Sequence, residues 1–185
     1  MATTKRRLQR DLVFHRQAFM VALAALACFS DRKNLNCVTE RPIRLSGPDV
    51  EDGTQFDLHP IRRLLESDGR DKILKNFFTT ALRTVVRDSY EAIWQYCKAT
   101  KETGNMELLR DQPWFQFLRV IRDAFSHDAK WTFYSQTKKI LPIEWGGIKV
   151  APDLEGKKLR FDHIPLTAFF DLLAAAEQFV VEHLQ

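Results

Sequence analysis

The sequence contains little glycine, proline or cysteine, and each shortage excludes a class of protein. Seven Gly and seven Pro in 185 residues are too few for a collagen-like or low-complexity chain. Three Cys, an odd number without a close pair, argue against a secreted disulfide framework and against a zinc site built on cysteine. With 45% apolar and 28% charged residues, the chain has the composition of a globular protein, and we predict one domain over residues 1–185.

The charges are close to balanced, with 28 Lys and Arg against 24 Asp and Glu. The formal net charge of +4 is compatible with nucleic-acid binding but is not specific for it. Because cysteines are few and unpaired, we expect a cytoplasmic protein. No membrane association is expected either, because the longest apolar run is judged too short to span a bilayer. The His residues lack the spacing of metal ligands, so no metal and no cofactor is predicted.

The first 30 residues imitate a signal peptide, since a basic segment precedes an apolar run from Ala18 to Phe29. However, the basic segment is long and contains Asp11 and His15, and we expect the apolar run to be too short to span a bilayer. Apolar residues recur there at alternating steps of four and three. This spacing predicts an amphipathic core helix, with His15 as a satisfied core residue.

The next part of the chain is predicted to contain one irregular stretch followed by two helices. Residues 31–58 contain two Pro and two Gly and are predicted to form an irregular surface excursion. A short helix is expected over residues 59–67. A long, well-buried helix is expected over residues 70–101, and Gly104-Asn105 is predicted to end it.

The pattern changes after His127, where short runs rich in β-branched and aromatic residues predict a small β-hairpin region over residues 131–162. The candidate strands are residues 131–134, 143–150 and 159–161. The candidate turns are Gly146-Gly147, within the second of these, and residues 152–156. Pro165 then opens a final helix. The predicted fold class is mainly α, a helical bundle with a small β-hairpin insert before the last helix.

One predicted helix carries the residues with chemical potential. Asp111 and Pro113 are typical of a cap and first turn, and an apolar stripe extends to Phe125. The opposite face gathers polar residues, namely Arg119, Arg122, Asp123, Ser126 and His127. Asp123 and His127 are four residues apart and therefore neighbours, and a carboxylate can hold the tautomer of a proton-transfer histidine. The alternative is a solvated face with a weak surface pair.

The hexapeptide Arg122-Asp123-Ala124-Phe125-Ser126-His127 resembles the hallmark of the HEPN superfamily. That hallmark is Arg, then Asn, Asp or His, then three residues, then His, at the C-terminal end of a helix. HEPN domains are helical and occur in many ribonucleases. The resemblance covers the long helix before the motif, the motif helix, the region 131–162 and the last helix, whereas residues 31–58 match nothing in it.

The resemblance implies a metal-independent endoribonuclease, in which the 2′-hydroxyl attacks the adjacent phosphate and leaves a 2′,3′-cyclic phosphate and a 5′-hydroxyl. Arg122 would bind the phosphate, because a planar guanidinium suits growing negative charge. His127 would transfer protons, and Asp123 would orient His127 or the helix end. Since one chain offers a single motif His, the resemblance also implies a homodimer in which two motif helices share a cleft.

Relatives of this kind are often bacterial toxins or defence effectors, for example against phage, and are neutralised by an antitoxin or another inhibitor protein. Three further polar residues are candidate RNA contacts at the rim of the site, namely Arg119, Ser126 and Lys130. A helix cap is the plainer interpretation of Ser126, and a solvated charge that of the other two. Three aromatic residues near the motif could stack on bases, although we expect them to pack in the core, namely Trp131, Phe133 and Trp145.

Two other functions stay open on the sequence. The first is a non-catalytic HEPN-like module that binds nucleotide or RNA, or that serves in assembly, through the same polar face. The second is a helical interaction protein whose polar stripe faces solvent. Phosphate binding should survive His127→Ala and weaken when Arg122 is lost, whereas in the interaction protein neither substitution should matter.

Overall fold

A computed structural model of the chain describes residues 4–31, 33–35, 42–44 and 54–184. The helices in chain order are α1 (Lys5–Ser30), α2 (His59–Glu66), α3 (Arg70–Ala99), α4 (Asn105–Arg110), α5 (Pro113–Ser126), α6 (Ser135–Lys138) and α7 (Leu166–Glu182). The strands are β1 (Ile43–Arg44), β2 (Gln55–Phe56), β3 (Ile143–Trp145) and β4 (Ile148–Val150). The prediction of a mainly-α fold with a small hairpin before the last helix is confirmed.

The chain divides into two units, which are described separately. The first unit comprises residues 1–18 and 83–185, and the second unit comprises residues 19–82. The boundaries fall inside α1 and α3, so each unit contains part of both helices. The prediction of one domain over residues 1–185 stays a prediction.

Helix α5 lies at the centre of the first unit, where it contacts α7 and strand β3. Pro113 suits its first turn, where no backbone N–H partner is needed, and an apolar stripe along the helix is buried. Two aromatic pairs join α5 to α7: Trp114 with Phe179 at 5.5 Å, and Phe125 with Phe169 at 6.4 Å between ring centroids. Each buried Phe contributes roughly 1.5–3 kcal/mol through removal of its apolar surface from water.

The first half of α1 is anchored in the same unit by polar contacts. His15 Nδ1 lies 3.3 Å from Ser89 Oγ on α3, and Arg16 Nε donates to Glu177 on α7 at 2.7 Å. Lys5 donates to two carbonyl groups at the end of α7, those of Val181 and Leu184. Burial lowers the pKa of His15 against the opposing influence of Asp88 and Asp11. His15 therefore has a hydrogen-bond partner as predicted, but it is half-buried and does not belong to the buried core.

The segment that follows α3 differs from the prediction. The long helix ends at Ala99, and a 3₁₀ turn (Lys101–Thr103) leads to Gly104, whose left-handed backbone has φ of 77°. Helix α4 then begins at Asn105, where the sequence predicted only a helix end. Asp111 is the C-cap of α4, and Gln112 occupies the N-cap of α5 without a side-chain cap. The predicted role of Asp111 as a cap of α5 is therefore wrong.

The hairpin of the first unit follows its predicted turn. Strands β3 and β4 are antiparallel, with Trp145 opposite Ile148. Gly146 and Gly147 between them have φ of 57° and 74°, the left-handed pair that a two-residue type I′ turn requires. The prediction of a hairpin at this position is confirmed.

The strands predicted at residues 131–134 and 159–161 do not form. Backbone pairing there consists of an isolated bridge between Lys130 and Lys158 and of bonds that join Trp131 with Gly156 and Lys157 and Leu159 with Ala129. The aromatic residues that favoured a strand are instead buried in the core: Trp131 and Phe133. Core packing therefore accounts for the apolar pattern that imitated strand alternation.

The second unit contains the end of α1, the helix α2 and the beginning of α3. The Phe19 and Phe78 rings lie 6.5 Å apart, and Arg70 donates to the backbone carbonyls of Phe29 and Ser30 at the C-terminus of α1. The short helix predicted over residues 59–67 is confirmed as α2. Strands β1 and β2 pair antiparallel, but most of the surface excursion predicted at residues 31–58 lies outside the described residues.

Helix α1 is long and apolar enough to cross a membrane, judged by length and composition alone. The expectation that its apolar run is too short is therefore corrected, because the helix extends beyond Ala18 and Phe29 at both ends. In the 18-residue stretch that meets this criterion, 11% of the residues are buried. Core helices of soluble proteins and N-terminal signal sequences meet the same criterion, so the helix assigns no compartment.

Replacing Ala129 by Gly is expected to stabilise the fold. Asp128 and Ala129 both have φ of 54°, a left-handed conformation that Gly adopts without steric cost, and the expected gain is about 0.5–1 kcal/mol. Urea unfolding followed by circular dichroism measures it. The control is the same change at Ala174, exposed in α7, which should destabilise by about 1 kcal/mol. Equal losses in both variants would contradict the prediction.

Candidate active site

A cleft of about 680 Å³ opens beside α5 in the first unit. It receives side chains from α3, α4, α5 and the segment around α6. Three arginines and four aromatic residues belong to its lining, namely Arg110, Arg119, Arg122, Tyr90, Trp94, Phe115 and Tyr134. Both arginines that the sequence predicted for the site, Arg119 as an RNA contact and Arg122 as a catalytic residue, therefore line one cavity.

Asp123 lies beneath this cleft as a buried carboxylate. Its side chain is 3% exposed and accepts an ion pair from Arg122 Nη1 at 2.8 Å, while the Arg122 side chain is 27% exposed. Burial raises the pKa of Asp123, and the positive charges of Arg122 and Arg119, together with His127, oppose the rise. A solvated helix face does not describe this residue, because a buried carboxylate requires a partner.

Arg122 is held from a second side by Tyr90 of α3. The Arg122 Cζ atom lies 4.2 Å from the centroid of the Tyr90 ring, within the range of a cation–π interaction. Tyr90 is buried, and burial raises its pKa while the adjacent Arg122 opposes the rise. The guanidinium is thus fixed between a ring and a carboxylate, with part of its surface open to the cleft.

His127 stands at the C-cap of α5. Its Nε2 atom and the Tyr134 hydroxyl share a hydrogen bond of 2.6 Å, in which the ring tautomer decides the donor. Tyr134 lines the cleft, whereas His127 is exposed and is not among the lining residues. Among the contacts of the described residues, the hydrogen-bond partner of His127 is Tyr134, and Asp123 pairs with Arg122. The predicted direct Asp123–His127 pair is therefore replaced by two separate pairs.

A group of three parallel rings forms the other end of the cleft. The Tyr90 and Phe115 centroids are 5.0 Å apart with an interplanar angle of 6°, and those of Trp94 and Phe115 are 6.3 Å apart at 5°. Phe115 is buried, but Trp94 is only half-buried. Arg110 Cζ lies 5.8 Å from the Trp94 centroid. This end of the cleft therefore combines aromatic faces with a positive charge.

The other predicted RNA contacts differ in their surroundings. Arg119 lines the cleft and donates to Gln136 Oε1 at 3.4 Å. Ser126 donates to the backbone carbonyl of Arg122 at 3.0 Å, in agreement with the plainer interpretation of a helix-end hydroxyl. Lys130 is exposed and does not line the cleft; its backbone pairs with Lys158.

Core packing is confirmed for two of the three aromatic residues that could stack on bases. Trp131 and Phe133 are 1% and 4% exposed. Trp145 is half-buried, and its ring centroid lies 5.8 Å from that of Phe117. Within the part of the chain that the structure describes, no group of three His, Cys, Asp or Glu side chains could hold a metal ion.

Sequence reasoning missed Tyr134, Tyr90, Trp94 and Arg110. Tyr90 and Trp94 are four residues apart on one helix, so a shared helix face was a usable signal. Arg110 belongs to α4, which was not predicted. No local rule pairs Tyr134 with His127, because the intervening turn depends on left-handed residues that are not glycine.

No protein-family model, no curated protein and no solved structure matches this chain.

The raised pKa of Asp123 predicts the direction of a pH effect on stability. The folded state keeps the Asp123 proton to a higher pH than the unfolded state, in which the pKa of this side chain is near 3.8. Acidification through the raised pKa therefore stabilises the wild type relative to Asp123→Asn, which does not titrate. Urea unfolding from about pH 7 to about pH 4 measures the difference between the two proteins. A difference that stays constant, or that moves against the wild type, would contradict the prediction.

Proposed function

We propose that the protein is a metal-independent endoribonuclease of the HEPN type, with Arg122 and His127 as its catalytic residues. One observation carries the proposal: Arg122 is fixed by Asp123 and Tyr90 at a cleft, and Tyr134 joins that cleft to His127. This supports the interpretation of the motif Arg122-Asp123-x3-His127 as an active site. Under this proposal Arg122 and His127 act at one site, and Tyr134 is the residue that connects them.

Arg122 is suited to bind the phosphate whose charge grows during cleavage. A guanidinium stays charged at all working pH values and presents a fork of donors to two phosphate oxygens. Arg119 lines the same cleft and adds a second positive charge. Asp123 keeps Arg122 in place, which makes it a positioning residue in this mechanism.

The reaction needs two proton transfers. The 2′-oxygen forms a bond to phosphorus as its proton passes to a base, and the bond from phosphorus to the 5′-oxygen breaks as that oxygen accepts a proton. The products are a 2′,3′-cyclic phosphate and a 5′-hydroxyl, with no net oxidation. His127 is the group that can serve as base or acid near neutral pH. Tyr134 holds the imidazole through the 2.6 Å hydrogen bond and thereby orients its second nitrogen.

A homodimer supplies the second histidine. In an isologous pair the same surface of each chain meets the other, so two copies of Arg122 and His127 would surround one phosphate. The exposure of His127 at the end of α5 is compatible with a partner chain that completes the site.

The alternative is a non-catalytic module that binds nucleotide or RNA. One observation favours it, because His127 does not line the cleft and its Nε2 atom already has Tyr134 as partner. In that case Arg119 and Arg122 still bind phosphate, but no bond is broken.

The HEPN resemblance also suggests a cellular role. We propose that the nuclease acts in the cytoplasm as a toxin or defence effector whose activity is held in check by an antitoxin or another inhibitor protein. RNA and this inhibitor are then its partners, together with the second copy of the chain.

His127→Ala is expected to slow the cleavage of RNA strongly. Purified wild type and variant are incubated with total cellular RNA in excess EDTA, and the ends of the fragments are analysed. The wild type should produce 2′,3′-cyclic phosphate ends, and the variant should be slower by about 10²–10⁴-fold, the usual contribution of a general acid or base. The matched control is His163→Ala, since His163 is exposed outside the cleft.

Cleavage separates the two candidate functions, because both predict the same binding. Under either function His127→Ala keeps its affinity for RNA and Arg122→Ala loses affinity, but only under the nuclease proposal does His127→Ala also slow cleavage. Intact RNA in the wild-type reaction, with unchanged binding, would overturn the nuclease and favour the binding module.

The composite site makes activity depend on protein concentration. Dilution through the dissociation constant of the dimer should lower the specific activity in step with the dimer fraction. Sedimentation velocity of the same samples measures that fraction. Constant specific activity in samples that contain only monomer would contradict a shared site.

A further inference from the structure

The aromatic end of the cleft has features that phosphate binding does not require. Tyr90, Trp94 and Phe115 present parallel rings, and Trp94 is the half-buried member of the group. Parallel aromatic faces at a cavity suit a planar ligand, because such a ligand can continue the stack. The chemistry of this end therefore differs from that of the Arg122 end.

The two arginine–ring pairs of the cleft have different spacings. Arg122 Cζ lies 4.2 Å from the Tyr90 centroid, which is direct contact. Arg110 Cζ lies 5.8 Å from the Trp94 centroid, and Arg110 is exposed. Stacked bases are separated by about 3.4 Å, so a base between a ring and a guanidinium needs about 7 Å. A shift of roughly 1 Å by the exposed Arg110 side chain would open that space.

The charge of the cleft restricts the ligand further. Three arginines line it, and one of its two carboxylates, Asp123, is already paired with Arg122. A cationic planar ligand would be repelled, whereas a planar group attached to phosphate would be attracted. A nucleotide has both parts, and guanidinium groups also stack on bases.

We propose that Trp94 and Arg110 form a subsite for one unpaired nucleobase, which stacks between them while a phosphate of the same strand lies at Arg122. Tyr90 contacts both ends of this arrangement, since its ring lies 6.2 Å from that of Trp94 and directly beneath Arg122. The base and the phosphate then belong to the same or to neighbouring nucleotides. The subsite depends on the proposed function in one respect, because the strand that it selects is the strand that the nuclease would cut.

The subsite makes the protein selective for single strands. In a duplex each base is stacked on both faces by its neighbours and paired at its edge, so insertion into the cleft requires unpairing. An unpaired base enters without that cost, and stacking on an aromatic ring tolerates every base. Selection therefore depends on strandedness more than on sequence.

Binding of an uncleavable strand tests the subsite apart from catalysis. A fluorescently labelled 2′-O-methyl RNA oligonucleotide lacks the attacking hydroxyl, and its anisotropy gives the affinity for wild type, Trp94→Ala, Trp94→Phe and a control. The control is Phe14→Ala, an exposed aromatic residue of α1 that does not line the cleft. Free nucleoside monophosphate and the same oligonucleotide in a duplex are the other ligands, and circular dichroism verifies that each variant is folded.

Trp94→Ala is expected to weaken binding of the single strand by about tenfold or more, and Trp94→Phe by much less. Phe14→Ala should bind like the wild type, and the duplex should bind more weakly than the single strand. The monophosphate shows whether the subsite takes a free nucleotide or a nucleotide within a strand. Weaker binding of the monophosphate than of the oligonucleotide, with the same dependence on Trp94, supports a strand as the ligand.

Equal affinity of Trp94→Ala and wild type for the single strand would overturn the subsite, as would equal affinity for duplex and single strand. Failure of the nuclease proposal gives a different result. In that case the Trp94-dependent binding is observed, while unmodified RNA remains intact in the cleavage assay.

Discussion

The burial of the Asp123 carboxylate constrains the rest of the site. A charge taken out of water must be compensated by a partner, and the partner here is the guanidinium of the preceding residue, Arg122. Because that guanidinium also lies on the Tyr90 ring, the pair ties α5 to α3 at the floor of the cleft. The position of Arg122 at the cleft is therefore a consequence of how one acidic side chain is accommodated in the core.

Much of the fold could be predicted because it follows local rules. Helix α5 forms as predicted, since its apolar stripe and the proline in its first turn are encoded within the helix itself. The hairpin was predictable for the same reason: two successive glycines permit the left-handed turn that joins β3 to β4. Arg122 and Asp123 could be identified through a motif that is contiguous in sequence.

The remaining features depend on contacts between distant segments. Helix α4 has six residues, too few for a helical period to stand out, so Arg110 could not be placed near Trp94. The contact of His127 with Tyr134 follows a turn through Asp128 and Ala129. The backbone of both residues is left-handed, but neither is a glycine, so the sequence did not indicate the turn. The apolar runs after that turn imitated strands because burial in a core and burial in a sheet favour the same residue types.

The position of Arg122 has a consequence for the entropy of binding. A free arginine side chain loses up to about 2 kcal/mol of rotamer freedom when it is immobilised. Here Tyr90 and Asp123 restrict the side chain during folding, before any ligand arrives. An anion that reaches the cleft therefore meets a guanidinium that is already ordered, and the energy of the contact is not spent on arranging the receptor.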